Sequence, residues 1–171
     1  MSLEDLVVVT GMSGSGKGTV LKAFEDLGFF CIDNLPVPLI PKFIEGFHVA
    51  GGEVRRAAVV IDIRAGEKLQ DLEKVIGRLR KSAFHLFLLY LEARDDVLMR
   101  RFSETRRPHP LSAGDSPLGD IIRLERTRLR RLRELADFTM DTSEYTVHQP
   151  RRWSWNVSGS IRGLHHSTSA S

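Results

Sequence analysis

A glycine-rich heptad, Gly11-Met12-Ser13-Gly14-Ser15-Gly16-Lys17, sits between the β-branched run Leu6-Val7-Val8-Val9-Thr10 and a stretch with helical apolar spacing. This spacing, G-x-x-x-x-G-K between a buried strand and a helix, constrains the fold more than any other feature of the chain. Glycines let the backbone close into a ring of N–H groups aimed at phosphate oxygens. The helix that follows adds the positive end of its dipole. Lys17 supplies a point charge to the β- and γ-phosphates. The ligand this chemistry implies is a nucleoside triphosphate. Its contacts are Gly11, Met12, Ser13, Gly14, Ser15, Gly16, Lys17, Gly18 and Thr19, with Lys17 as the catalytic cation.

The rest of the chain alternates strands and helices. Val20, Ala23, Phe24 and Leu27 predict a helix over 19–27, closed by Gly28 as a C-cap glycine. Phe29-Phe30-Cys31-Ile32 reads as a second strand, broken by Asp33-Asn34-Leu35-Pro36, and a helix is predicted over 38–47. Strands at 57–61 and 86–91 alternate with helices at 69–79 and 96–104. A Pro- and Arg-rich loop spans 105–117. Leu118, Ile121, Ile122, Leu129, Leu132 and Leu135 then mark one face of a long helix, with Arg123, Arg126, Arg130 and Arg133 on its other side. A short strand, 138–140, ends at Asp141. This order predicts an α/β P-loop NTPase fold of kinase-like type, a mostly parallel sheet with helices on both faces.

Charge places limits on function. The net charge of +3 arises entirely from Arg151, Arg152 and Arg162, because the tail from 151 onward holds no acid. The globular part is therefore neutral, which counts against a pure RNA-binding module. One local bias stands out. From Arg94 to Arg133 there are eleven arginines, six acids and no lysine. Arginine in that proportion suits planar, bidentate partners such as phosphate or carboxylate, and a solvated helix face is an equal reading of the later ones. The single cysteine, Cys31, rules out an internal disulfide and fits a reducing compartment. The N-terminus lacks the pattern of a signal peptide, and no apolar run approaches the ~20 residues that span a bilayer, so the expected location is cytoplasmic.

Several side chains outside the loop are candidates for chemistry. Position 18 is Gly where Ser or Thr commonly ligates Mg2+, leaving Thr19 as the hydroxyl candidate. The same Gly-Lys-Gly-Thr order occurs in adenylate-kinase-like P-loop proteins. Asp62 ends an apolar strand, as a Walker-B acid does, and is the second candidate metal ligand and a catalytic candidate; an ordinary strand-ending Asp is the bland reading. Arg64 lies two residues on, within reach of a phosphate. Asp33 ends the second strand, where it can serve as a base or hold a metal-bound water, or simply form the turn in Asp-Asn-Leu-Pro. Arg100, Arg101, Arg106 and Arg107 flank Pro108 and Pro110, the composition of a lid that stabilises a transferring phosphoryl group or grips RNA or protein, with Arg100, Arg106 and Arg107 as its expected nucleotide contacts. His109 reads as a loop residue and Cys31 as strand filler.

Together these segments resemble the RapZ nucleotide-binding family. The resemblance rests on Gly11 to Lys17, Glu25 to Phe29, Cys31 to Pro36, Asp62-Ile63-Arg64, Thr105 to Leu111 and Asp141-Thr142-Ser143, in order and spacing across about residues 3–148. It implies ATP at Gly11–Gly18, a GTP-contacting stretch at Asp62, Ile63, Arg64 and Ala65, and hydrolysis of both nucleotides with Mg2+. It also implies a regulatory role, since some members are RNA-binding adapters in the turnover of a small RNA. Members of that family continue into a second domain. Here residues 149–171 carry both tryptophans and many serines with no apolar period, which is expected to be a disordered, non-family tail from a truncated or frameshifted gene. The alternative function is a small-molecule or nucleotide kinase using Arg100–Arg107 as its lid.

Overall fold

The computed structural model describes residues 3–49, 54–62, 69–112 and 114–145. Ile63, Arg64 and Ala65, and the whole 149–171 tail, lie outside the described residues. Five strands form one parallel sheet: β1 (Asp5–Gly11), β2 (Phe30–Ile32), β3 (Arg56–Val60), β4 (His85–Glu92) and β5 (Phe138–Asp141), in the spatial order β2-β3-β1-β4-β5. The helices are α1 (Lys17–Asp26), α2 (Ile40–Val49), α3 (Leu69–Leu79), α4 (Asp95–Thr105) and α5 (Leu118–Leu135), and a 3-10 turn, Val37–Leu39, leads into α2.

The central strands are apolar throughout because both faces of the sheet are covered. In β1, Leu6 and Val8 join the larger core with residues of α2, α3, α4 and α5, whereas Val7 and Val9 join a smaller core with Val20, Leu21 and Phe24 of α1. The same alternation runs through β3 and β4: Val59 and Leu88 face the larger core, Val60 and Leu89 the smaller. Register places Val9 beside Val60 and Leu89, so β1, β3 and β4 end together. The carboxyl ends of the strands in such a sheet form the crevice where ligands bind, and β1 delivers the glycine loop there.

The predicted α/β P-loop architecture stands, with shifts at the element ends. Helix α1 begins at Lys17, two residues before the predicted start at 19, because Gly16 takes a left-handed conformation (φ 95°) and turns the chain into the helix. Lys17, Gly18 and Thr19 therefore form its first turn. Pro41 falls in the first turn of α2, where a missing N–H costs nothing. No described helix is long and apolar enough to cross a membrane.

Candidate functional site: the glycine loop and its groove

The loop after β1 is held by contacts that its own sequence does not reveal. Gly11 has φ 136°, and a Cβ there would meet the Leu91 carbonyl oxygen at 2.0 Å, so only glycine permits β1 to run this close to β4. The Met12 N–H donates to Leu91 O at 2.9 Å. Lys17 folds back over the loop, its Nζ donating to Gly11 O (3.1 Å) and Met12 O (3.0 Å) and lying 3.3 Å from Asp62. Its side chain is only 10% exposed. Lys17 and Asp62, predicted separately as candidates for phosphate and metal, are thus brought together in an ion pair.

A groove of about 720 Å³ opens beside the loop. It is lined by Gly14, Ser15, Gly16, Gly18 and Thr19 of the loop and α1, by Asp33 after β2, and by Arg101, Phe102 and Arg107 of α4 and the segment after it. Lys17 and Asp62 sit next to this groove rather than among its walls. Arg100 and Arg106 do not line it. Arg100 is exposed on α4, and Arg106 caps that helix in a left-handed conformation (φ 50°). Asp33 is exposed and makes no side-chain hydrogen bond with any described residue.

Arg101, one position from an expected contact, is the arginine that builds the site. Its guanidinium donates to Gly14 O (3.1 Å), Thr142 Oγ1 (3.0 Å) and Thr142 O (2.7 Å), tying α4 to the loop and to the chain after β5. Burial, then the neighbouring Arg100, lowers its pKa from the ordinary guanidinium value. Thr142 Oγ1 in turn donates to Ser15 O at 2.7 Å. Asp141 fixes this segment by accepting from the Ser143 N–H (2.8 Å) and hydroxyl (2.5 Å). Against the upward push of its burial, these bonds and the charges of Arg94 and Arg126 hold its carboxyl below the usual range.

Glu125 is the largest miss of the sequence reading. It lies in α5 among buried Ile121, Ile122, Leu129 and Leu132, and its carboxylate accepts from Ser13 N–H (3.2 Å) and Ser13 Oγ (2.6 Å). The signal was present as an acid at a position where the helical apolar period calls for a hydrophobe. His109, read as a loop residue, is fully buried with Nε2 3.0 Å from Glu125 Oε2.

The arginine-rich region is mostly committed internally. Arg94, Arg123, Arg126, Arg131 and Arg133 pair with acids of the same chain, and Arg101 is spent on the loop. Arg100, Arg106, Arg107, Arg128 and Arg130 have no ion pair among the described residues.

Two observations bear on whether the implied ligands fit. Ser15 Oγ is buried without a hydrogen-bond partner at the groove. A Cβ at Gly18 would meet nothing within 4 Å, so the space before the first turn of α1 is open. Among the described residues no three His, Cys, Asp or Glu side chains gather as a metal site.

Residues 4–153 match the family described as the RapZ-like N-terminal domain. The chain belongs to this family. The RapZ-like chain is 52% identical over 147 residues to a nucleotide-binding protein of Solibacter usitatus, covering 86% of this chain and 45% of that protein. It is 48% identical over 149 residues to one of Myxococcus xanthus, covering 87% and 51%. It therefore spans about half the length of these relatives. Among solved structures it resembles a shikimate kinase of Bacteroides thetaiotaomicron (TM-score 0.57, 20% identity, 96% of this chain and 98% of that one). It also resembles a gluconokinase of Sinorhizobium meliloti (TM-score 0.57, 21% identity, 100% and 99%). At these identities the likeness is one of fold: the P-loop kinase arrangement around a parallel sheet.

Proposed function

We propose that this chain binds ATP and GTP through Gly11–Thr19 and hydrolyses them slowly, as the nucleotide-sensing half of a regulatory protein. The observation that carries the reading is the loop itself: a strand-borne glycine turn, Lys17 bent over it, and an open groove in front of the first turn of α1. A phosphate entering the loop draws Nζ of Lys17 from the Gly11 and Met12 carbonyls. Asp62, 3.3 Å from that Nζ, is then placed to hold Mg2+ with the Thr19 hydroxyl. The metal, when bound, neutralises charge on the β- and γ-phosphates. Arg107 faces the groove with no partner among the described residues and is available to the same charge. In hydrolysis the water oxygen bonds to the γ-phosphorus while the bond from that phosphorus to the β–γ bridging oxygen breaks; one water proton stays on the phosphate formed and the other passes to solvent. Names of the relatives support nucleotide binding. The GTP contact at 62–65 and a cytoplasmic location belong to this proposal too.

One observation favours a second reading, a small-molecule or nucleotide kinase: the groove continues from the loop to Asp33, where an acceptor would lie. An RNA or protein partner for the arginine region is the weaker proposal, because half of those side chains are already paired. The deciding experiment measures phosphate release from MgATP and MgGTP alongside a screen for phosphorylated acceptors. Slow release to water, with no acceptor labelled, supports the regulatory reading; rapid transfer to a sugar, acid or nucleotide overturns it.

A further inference from the structure

His109 belongs to none of the chemistry above, yet it is wholly buried and makes four contacts. Its Nδ1 accepts from the Leu111 N–H at 3.1 Å, which leaves Nε2 to carry the proton that points at Glu125 Oε2, 3.0 Å away. Its ring packs against Phe102 with centroids 4.9 Å apart. The Ser112 N–H donates to its carbonyl at 2.8 Å, closing a turn. Both side chains that His109 touches also touch the glycine loop. Glu125 receives the N–H and hydroxyl of Ser13. Phe102 stands against Gly14, where an added Cβ would lie 3.2 Å from its ring.

We infer that His109 is a positioning residue for the phosphate loop, acting through Glu125 on Ser13 and through Phe102 on Gly14. It also anchors Arg107, two residues earlier in the chain, at the groove. Pro108, the one residue between them, has a fixed φ angle and so keeps the short path from Arg107 to the anchor stiff. The consequence is specific: the arginine of the lid and the phosphate cradle are one unit, set before any ligand arrives, instead of a lid that swings onto it. The geometry supplies the reason. A buried carboxylate needs donors on both oxygens. Without the Nε2–H, Glu125 Oε2 keeps only the longer 3.2 Å bond that the Ser13 N–H shares between both oxygens, and the carboxylate's grip on Ser13 loosens.

The inference rests on the reading that this loop holds a triphosphate, so the test has one arm that needs nucleotide and one that does not. In the full 171-residue chain, MgATP affinity is measured well below the melting temperature for wild type, His109→Ala and His109→Gln. Exchange of the Ser13 amide is followed by NMR without nucleotide. A glutamine amide can replace the Nε2–H donor, and alanine cannot. His109→Ala is expected to weaken MgATP by about 10-fold or more, the scale of one charge-assisted hydrogen bond, and to speed Ser13 exchange similarly. His109→Gln is expected within about 3-fold of wild type in both arms. A merely structural histidine would lower the melting temperature and leave both readouts unchanged. That result overturns the inference, as does equal loss in the two variants. Should His109→Ala not fold, Ser13→Ala decides, since it removes only the 2.6 Å hydroxyl contact. Unchanged affinity and unchanged loop protection there also overturn it. If wild type fails to bind any nucleotide, the functional reading falls, and Ser13 exchange alone still decides the anchor.

Discussion

The two ends of the groove are built differently. At the phosphate end, four separate elements hold the loop: Lys17 caps its carbonyls, Arg101 of α4 reaches Gly14, Thr142 after β5 reaches Ser15, and Glu125 of α5 holds Ser13. At the Asp33 end there is an exposed carboxylate without a described partner, followed by Asn34 in a left-handed turn (φ 55°). Pre-set donors and backbone dipoles are what charge stabilisation requires. A base for an acceptor hydroxyl requires a fixed hydrogen-bonding geometry. The difference teaches that this fold concentrates its tertiary contacts on the glycine loop and leaves the Asp33 end to solvent.

The largest effect is expected at the point where the phosphate end has no tolerance. Gly11→Ala drives a Cβ into the Leu91 carbonyl at a φ that side chains rarely adopt, and should cost roughly 3 kcal/mol or more of stability. Urea unfolding would show it; a midpoint like wild type would mean the loop is softer than the contacts imply.

Lys17→Ala removes a charged donor from the centre of the cradle. Triphosphate affinity should fall by about 10- to 150-fold, the worth of a charge-assisted phosphate contact. Fluorescence titration with a labelled nucleotide checks this, with ADP expected to lose less than ATP.

Asp62→Asn separates holding from reaction. Binding should weaken by less than about 3-fold while the hydrolysis rate falls by at least about 10-fold, since an amide is a poor metal ligand. Equal losses in both would make Asp62 a support for Lys17 alone.

Gly18→Ser adds a hydroxyl where space is open and helix geometry already exists. Stability should rise by about 0.5 kcal/mol from helix propensity, and Mg2+ dependence of nucleotide binding should sharpen by a few fold. The melting temperature and a magnesium titration test the two parts separately.

The smallest effect is expected at the other end. Asp33→Asn should change affinity and phosphate release by less than about 2-fold, because the carboxylate is already solvated. A hydrolysis or transfer rate reduced 100-fold would break the contrast between the two ends and revive the kinase reading.

The fold was legible because its signals are local. The β-branched run at 6–10, the glycine loop and the helical period at 118–135 each announce themselves within a dozen residues. Motif and strand position single out Lys17 and Asp62 as candidates, and the fold sets the two side by side. Arg101, Thr142 and Glu125 were not legible in that way. Their contacts to Gly14, Ser15 and Ser13 span 87, 127 and 112 residues of sequence, and such partners are set by how helices stack on the sheet. The choice of Arg100 and Arg106 over Arg101 shows the limit well. All three share one basic cluster; helical phase on α4 turns Arg101 rather than Arg100 toward the loop, and Arg106 lies past the helix end. The expectation of an arginine face open to partners missed the acids opposite it, Asp95 and Glu92, for the same reason.

Calorimetric titration of the full chain with MgATP and with MgGTP, repeated on Lys17→Ala, tests the central claim most directly. The account predicts saturable one-site binding of both triphosphates by the wild type and a loss of about 10-fold or more in the variant. Absence of saturable heat with either nucleotide, or equal affinity in the variant, would contradict it.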